Sequence, residues 1–290
     1  MGILARDDLI SSHYTLCGAS ALEPARYDFA TRVAAAAKAG FTGIGMHFGE
    51  YAAELAGGRT DADLRAVVAD HGIGVPELEF VFGWAARDEQ MQVEGEPSEA
   101  GCFAMADVFG SRVVNVGDIG MPDDLAPLDD VTERFAGLCD RAAEHGLLVA
   151  LEFLPWSGIP DVATAWQVVD GAGRANGGLL VDSWHHLRGA ADDGALRAVP
   201  GDRVFVVQVS DAPAKPDGDY MQDTMLNRRL PGDGDLDLVG FLRTLDAMGV
   251  DCPVSVELFN PAFQSLPADE AARLAHDATR ALVAEARRAT

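Results

Sequence analysis

The sequence predicts one (β/α)8 barrel over residues 1–290. Short apolar runs alternate with helical patterns through eight strand–helix units, and strands alternating with helices pair in parallel. A chain of 290 residues is long enough for eight such units. No linker or low-complexity stretch divides it. A doubly wound sheet, the competing architecture, would want a Gly-rich phosphate turn after the first strand, and "TLCGASALEP" (15–24) has no GxGxxG.

In chain order, "LISSHYTL" (9–16) is the first strand, and the Ala-rich helix 27–40 closes at Gly40, a natural C-terminal stop. "TGIGMHF" (42–48) is the second strand. The helix 60–72 has Thr60 or Asp61 as its cap and Gly72 at its end. "GVPELEFVF" (74–82) is the third strand, with Pro76 confined to its start. Helix 98–110, strand 112–117, amphipathic helix 128–146, strand 147–153 and helix 162–173 follow. Strand 178–184, helix 191–199, strand 203–211, helix 237–249, strand 253–259 and helix 269–289 complete the series.

Composition narrows the function. A net charge of −24 and a pI near 4.4, with no Lys/Arg run, argue against nucleic acid as a partner, because phosphate backbones need a basic footprint. The charge fits solubility or adaptation to salt. Cys17, Cys102, Cys139 and Cys252 are scattered without a CxxC, so reduced thiols are expected rather than a zinc knuckle or a disulfide framework. "MGILARDDLI" has no signal-peptide core, and no run approaches the roughly 18 apolar residues of a membrane span. A cytoplasmic protein without a membrane partner is expected.

A barrel carries its chemistry at the C-terminal ends of its strands. There the predicted strands present Glu152, Asp182, Gln208 (with Asp211 three residues on) and Glu257 in succession. Taken singly, a strand-end carboxylate serves equally as a helix cap or an ion-pair partner. Four adjacent strands delivering oxygen to one place are harder to explain that way. Three converging carboxylates would repel one another and lose their ionisation without a cation. Oxygen-rich ligation points to one divalent ion, Mn2+ first, with Mg2+, Co2+ or Fe2+ as alternatives, and offers Zn2+ little.

Around this set, His185 lies three residues past Asp182, placed to orient a substrate oxygen or a water, whereas His186 is expected to turn away. His47 ends strand two and His13 lies within strand one; each serves equally as pocket lining or structure. Glu77 and Glu79 share a face, and Glu79 is the one expected to reach the pocket. Trp84, Trp156 and Trp184 fall past strand ends, where they either wall a site or pack the rim. In "NRRLPGDGDLDL" (227–238), Arg228 and Arg229 are the paired cations near the strand ends, suited to a substrate oxyanion or to the local aspartates.

The combination of Glu152, Asp182 with His185, Gln208, Arg229 in "RRLPGDGD" and Glu257 in "SVELF" resembles the xylose isomerase-like TIM barrel superfamily over nearly the whole chain. The resemblance implies that Glu152 and Glu257 are metal ligands that also act as acid and base, and that Asp182 is a third ligand. It implies that Gln208 completes the metal set and that His185 and Arg229 bind substrate oxygens. His47, Glu79 and Trp184 are further candidates for substrate contact. Gln208 departs from the His of many ketose 3-epimerases, and the multi-histidine, multinuclear site of endonuclease IV is lacking. The implied chemistry is proton abstraction beside a polarised carbonyl to give an enediolate. Return of the proton elsewhere makes an isomer or epimer of a small keto-sugar or cyclic polyol. Loss of a β-hydroxyl instead makes a dehydratase of the inosose or 3-dehydroshikimate type. A barrel that binds its ligand without turnover is the alternative outside catalysis. Homo-oligomerisation is a superfamily expectation with no interface visible in the sequence.

Overall fold

A computed structural model describes residues 6–20 and 23–288, so Ala289 at the end of the last expected helix lies outside the described residues. The strands are β1 (Leu9–Ser11), β2 (Gly43–Ile44), β3 (Met46–His47), β4 (Glu77–Val81), β5 (Val113–Gly117), β6 (Leu148–Glu152), β7 (Gly177–Asp182), β8 (Val204–Val209) and β9 (Val254–Val256). All pair in parallel, in the order β2-β1-β9-β8-β7-β6-β5-β4-β3. The two ends of this order are halves of one segment, residues 43–47, so the nine strands make a nearly closed barrel with helices between them.

The single expected strand 42–48 is therefore split at Gly45. That residue's N–H reaches back to the Ser11 carbonyl at 2.7 Å. A Cβ there would overlap Glu79 Oε1 and lie 2.8 Å from the His13 nitrogen. Only glycine lets β1, β4 and the 43–47 segment approach so closely.

Burial follows the parallel-barrel rule. Residues of β4 to β9 are buried on both faces, apart from half-buried Phe80 and Leu148. Val113, Ala150, Leu180, Phe205 and Val206 form a small cluster separate from the main core. The much larger core includes Val114, Val149, Leu151, Val181 and Val207 together with helix residues such as Phe29, Phe135, Val168 and Ala272. Alternate residues of β5, β6 and β7 thus feed different clusters, as a two-residue side-chain period requires, while β8 departs from this at Phe205 and Val206, where its register with β7 shifts.

Many of the acidic residues behind the net charge are structural at short range. Asp28, Asp88, Asp161, Asp182, Asp192, Asp219 and Asp237 each accept a backbone N–H as helix N-caps, and Thr60 with Asp63 forms a capping box. Thr60, not Asp61, is the cap of its helix.

Three expectations are corrected. His13 opens the short helix His13–Leu16 instead of lying within the first strand. The helix expected from 98 begins at Glu89 and runs through Pro97 to Phe109. It includes Gly95 because a Cβ there would collide with the Phe82 carbonyl, and tertiary packing overrides the breaker signal. The last strand stops at Val256, leaving Glu257 just beyond it.

Gly45→Ala is expected to destabilise the fold by about 1–3 kcal/mol through overpacking. Gly137→Ala, inside a helix where a Cβ meets only Arg141 Nη1 at 3.4 Å, is expected to stabilise it by up to about 1 kcal/mol. Urea denaturation of both variants checks this, and equal midpoints would contradict the close-approach account.

Candidate active site

Strand register brings the site together. Asp182 pairs with Gln208, Gln208 with Ser255, and Glu152 with Gly117 on one side and Leu180 on the other. Glu152, Asp182, Gln208 and Glu257 are all buried, with exposures of 8%, 0%, 2% and 6%. The strand β7 runs directly into helix Ser183–Arg188, and Asp182 caps it: Oδ1 accepts the N–H of Trp184 at 2.5 Å and that of His185 at 3.4 Å. The aspartate thus serves as a cap and as a member of the cluster. Its cap position sets His185 at the third helical residue, on the side facing Glu152.

Glu152, Asp182 and His185 each offer a ligand atom, and these atoms lie within 4.8 Å of one another. His185 Nε2 is 3.3 Å from Glu152 Oε1. Arg228, only 1% exposed, reaches into the same space. Its Nη1 donates to Asp182 Oδ2 at 2.8 Å, Glu257 Oε2 at 3.2 Å and Ser210 Oγ at 3.3 Å. Its Nη2 lies 3.2 Å from His185 Nε2. Thr224 Oγ1 accepts from Nε and Nη2, and Asn260 holds the Arg228 carbonyl. Ser12 Oγ donates to the other oxygen of Glu257 at 3.1 Å.

Burial dominates the electrostatics. It pushes Glu152 up to about 8, with Asp182 adding to the effect and Arg228 opposing it. It pushes Glu257 up to about 8 as well, where Arg228 again opposes and Glu152 and Asp182 reinforce. Burial lowers His185 to about 4, so its imidazole is neutral and available as a ligand or acceptor near neutral pH. Burial also works against the charge of Arg228, but Asp182 and Glu257 outweigh it and hold the guanidinium firmly protonated.

The residues fit a divalent cation. Glu152 Oε1, His185 Nδ1 and Gln208 Oε1 are buried atoms without a hydrogen-bond partner, a costly state that a bound ion near the cluster would relieve for those it reaches. Glu152, Asp182 and His185 suit such an ion directly, so His185, expected only to contact substrate, stands among the candidate ligands. Gln208 and Glu257 border the group.

Other sequence candidates lie as follows. Arg229 has an exposed side chain that donates to the Asp233 carbonyl and lines a cavity of about 410 Å3 beside Phe263, while its backbone pairs with Asp211. Neighbours on extended backbone point opposite ways, so Arg228 faces the carboxylates instead. Asp211 is no ligand in this arrangement. Its side chain accepts the N–H groups of Ala212, Gly232 and Leu236 and shapes the 229–236 turn. Trp184 is corrected as a substrate contact: it is fully buried, 5.3 Å from the His185 ring and 5.5 Å from the Arg228 guanidinium, and backs both. Trp156 flanks His185, and Trp84 packs outward on Phe135. His186 turns away to Asp193.

His47, His13 and Glu79 gather on the β1–β4 side. His47 Nδ1 accepts the Gly49 N–H, its own N–H meets His13 Nδ1 at 3.3 Å, and Glu79 Oε1 accepts the His13 N–H at 3.2 Å. Burial lowers His47 to about 4 and holds Glu79 well above the usual carboxylate range, with Glu257 and Glu77 reinforcing the latter. A cavity of about 690 Å3, lined by His13, Tyr14, His47 and Glu50 among others, opens beside these groups. The smaller one, of about 410 Å3, is lined by Arg228, Arg229, Leu258, Asn260 and Phe263 among others.

The family model for the xylose isomerase-like TIM barrel matches residues 33–282. The chain belongs to this family. A xylose isomerase-like relative, the 3-dehydroshikimate dehydratase of Pseudomonas aeruginosa, is 31% identical over 210 residues, 71% of this chain and 32% of that protein. The inosose isomerase of Bacillus velezensis is 33% identical over 155 residues, 53% of this chain and 54% of that protein. The chain therefore spans about one third of the first and half of the second. A solved structure of an IOLI protein with a bound zinc atom superposes with a TM-score of 0.85 at 23% identity, covering 97% of this chain and all of that one. All four cysteines of this xylose isomerase-like barrel are free and buried, and no described helix is long and apolar enough to cross a membrane.

Two outcomes follow. Glu152 and Glu257 shift from an ordinary 4.5 up to about 8, so their contribution to metal-free stability is full below about 4.5 and lost as pH rises through about 8. A divalent ion binds the ionised forms, so Mn2+ affinity is expected to rise at least about tenfold between about pH 6 and about pH 8. Calorimetry checks this, and a pH-independent affinity would contradict it. Arg228→Met is expected to lower the melting temperature of the metal-free protein more than that of the Mn2+-loaded protein, because it leaves buried carboxylates unpaired. Equal losses in scanning calorimetry would contradict that role for Arg228.

Proposed function

We propose that the chain is a divalent-metal-dependent isomerase or epimerase acting on a small keto-sugar or the ketone of a cyclic polyol. The observation that carries this is the pair of buried carboxyl groups, Glu152 and Glu257, set apart by β7 and β8 on either side of Asp182 and Gln208. Two carboxyl groups so placed suit a general base and a general acid acting on one substrate. Glu152, Asp182 and His185, with Gln208 and Glu257 beside them, would hold the ion, Mn2+ being the expected one. When bound, the cation polarises a carbonyl and its neighbouring hydroxyl and acidifies the C–H of the hydroxyl-bearing carbon.

The chain's own groups supply the rest. One glutamate removes the proton and the other returns one to a different carbon or face. Arg228 balances negative charge beside Asp182 and Glu257. Neutral His47 binds a substrate oxygen without competing as a cation, and neutral His185 is free to serve the ion. Trp156 and Trp184 restrict water around His185. The similarity to inosose isomerases supports a cyclic polyol substrate.

A second reading is loss of a β-hydroxyl in the same site. The match to 3-dehydroshikimate dehydratase over 71% of the chain favours it. Incubation of the Mn2+-loaded protein with inosose and with 3-dehydroshikimate in deuterated water separates the two: deuterium on carbon without loss of water marks the isomerase, and an unsaturated product marks the dehydratase. Glu152→Gln and Glu257→Gln are each expected to lower turnover by about 10²–10⁴-fold with the fold retained. Turnover at the wild-type rate in either variant would overturn the acid–base roles.

A further inference from the structure

We propose that the buried ion pair Arg188–Asp223 is a positioning device that sets Arg228 against Asp182 and Glu257. Arg188 ends the helix Ser183–Arg188, which is capped by Asp182 and carries His185. Its side chain is 4% exposed, its Nε lies 3.2 Å from Asp223 Oδ2, and its Nη2 donates to the Pro213 carbonyl. Asp223 is completely buried. Its Oδ1 accepts the Asp217 N–H at 3.0 Å and the Asn227 side chain at 3.2 Å. The next residue, Thr224, accepts both Arg228 Nε at 3.0 Å and Nη2 at 2.9 Å.

The helix Tyr220–Leu226 has only two buried residues, and they are Asp223 and Thr224. Of its large apolar side chains, Tyr220, Met221 and Leu226 stand 37–42% exposed and Met225 is half-buried. Beyond Met225 and the edge contact of Tyr220 with Trp184, the helix docks through the polar contacts of those two buried residues. One of them meets Arg188 and the other holds Arg228. A buried ion pair gives little net stability over an apolar substitute, but it fixes one arrangement of the groups it joins. Here it joins the short helix that delivers His185 to the one that delivers Arg228.

The test is the double variant Arg188→Met with Asp223→Asn. It leaves no unpaired buried charge and keeps the Oδ1 acceptor for Asp217 and Asn227. Phenylglyoxal labelling, read by peptide mass spectrometry, reports the exposure of each arginine. Arg228 is expected to label at least about tenfold faster than in wild type, while Arg32, also buried but held by Glu50 and His13, stays protected. Arg188→Lys, which cannot reach Asp223 and Pro213 together, gives an intermediate rate and serves if the double variant fails to fold.

The metal readout rests on the proposed use of the site. The double variant should show an enlarged Mn2+ shift in melting temperature, as Arg228→Met does, and should add nothing to that shift in the Arg228→Met background. Unchanged Arg228 labelling, parallel labelling of Arg32, or additive Mn2+ shifts would overturn the proposal. If wild type shows no Mn2+ shift, the metal assignment fails, and the Arg228 and Arg32 labelling rates still decide this inference.

Discussion

The guanidinium of Arg228, wedged between Asp182 and Glu257, meets the constraint that shapes this end of the barrel. Glu79, Glu152, Asp182 and Glu257 are all buried, and Arg228 is the arginine that touches two of them. Two like charges 4 Å apart repel by about 4 kcal/mol at the effective dielectric of a protein surface, and by more when buried. The chain manages this by sharing Arg228 between two carboxylates, by giving Asp182 two backbone N–H groups and Glu257 a serine hydroxyl, and by letting burial keep other carboxyls protonated. A divalent ion would complete the balance, and Glu152 Oε1 and Gln208 Oε1, buried without a hydrogen bond, are oxygens it could use.

The architecture serves that end. Parallel register brings Glu152, Asp182, Gln208 and, just past β9, Glu257 to one end of the barrel, and the turn from β7 into a helix converts a strand-end aspartate into a cap with an oxygen to spare. Gly45 lets the 43–47 segment bridge β1 and β4 and brings Glu79 and His13 within contact. The acidic composition has the same local origin in part, since aspartates cap helix after helix. The curated relatives of this chain are named 3-dehydroshikimate dehydratase and inosose isomerase, and in the proposed reading the paired glutamates would supply the proton transfers for either.

The carboxylate set was legible because a parallel barrel has a simple rule: polar residues at successive strand ends share one face. Glu152, Asp182, Gln208 and Glu257 needed nothing more. The choice between Arg228 and Arg229 needed the Asp211–Arg229 bridge, which depends on a contact eighteen residues away in sequence. The side of the chain on which each arginine falls follows from that bridge and from no local pattern. His185 as a candidate ligand was foreshadowed by its spacing of three from a helix cap, but the cap itself was read as strand. Trp184 shows the limit of position as a guide: a ring just past a strand end is buried behind the site instead of lining it. The helix start at Glu89 was hidden by Gly95 and Pro97, and packing against Phe82 decides that segment.

The central claim is that Asp182, with Glu152 and His185, holds a divalent ion beside Arg228. Elemental analysis of wild type and Asp182→Ala after loading with Mn2+ and gel filtration tests it most directly. The account predicts about one ion per chain in wild type and almost none in the variant, with circular dichroism showing both folded. Equal metal content in the two proteins, or none in either, would contradict it.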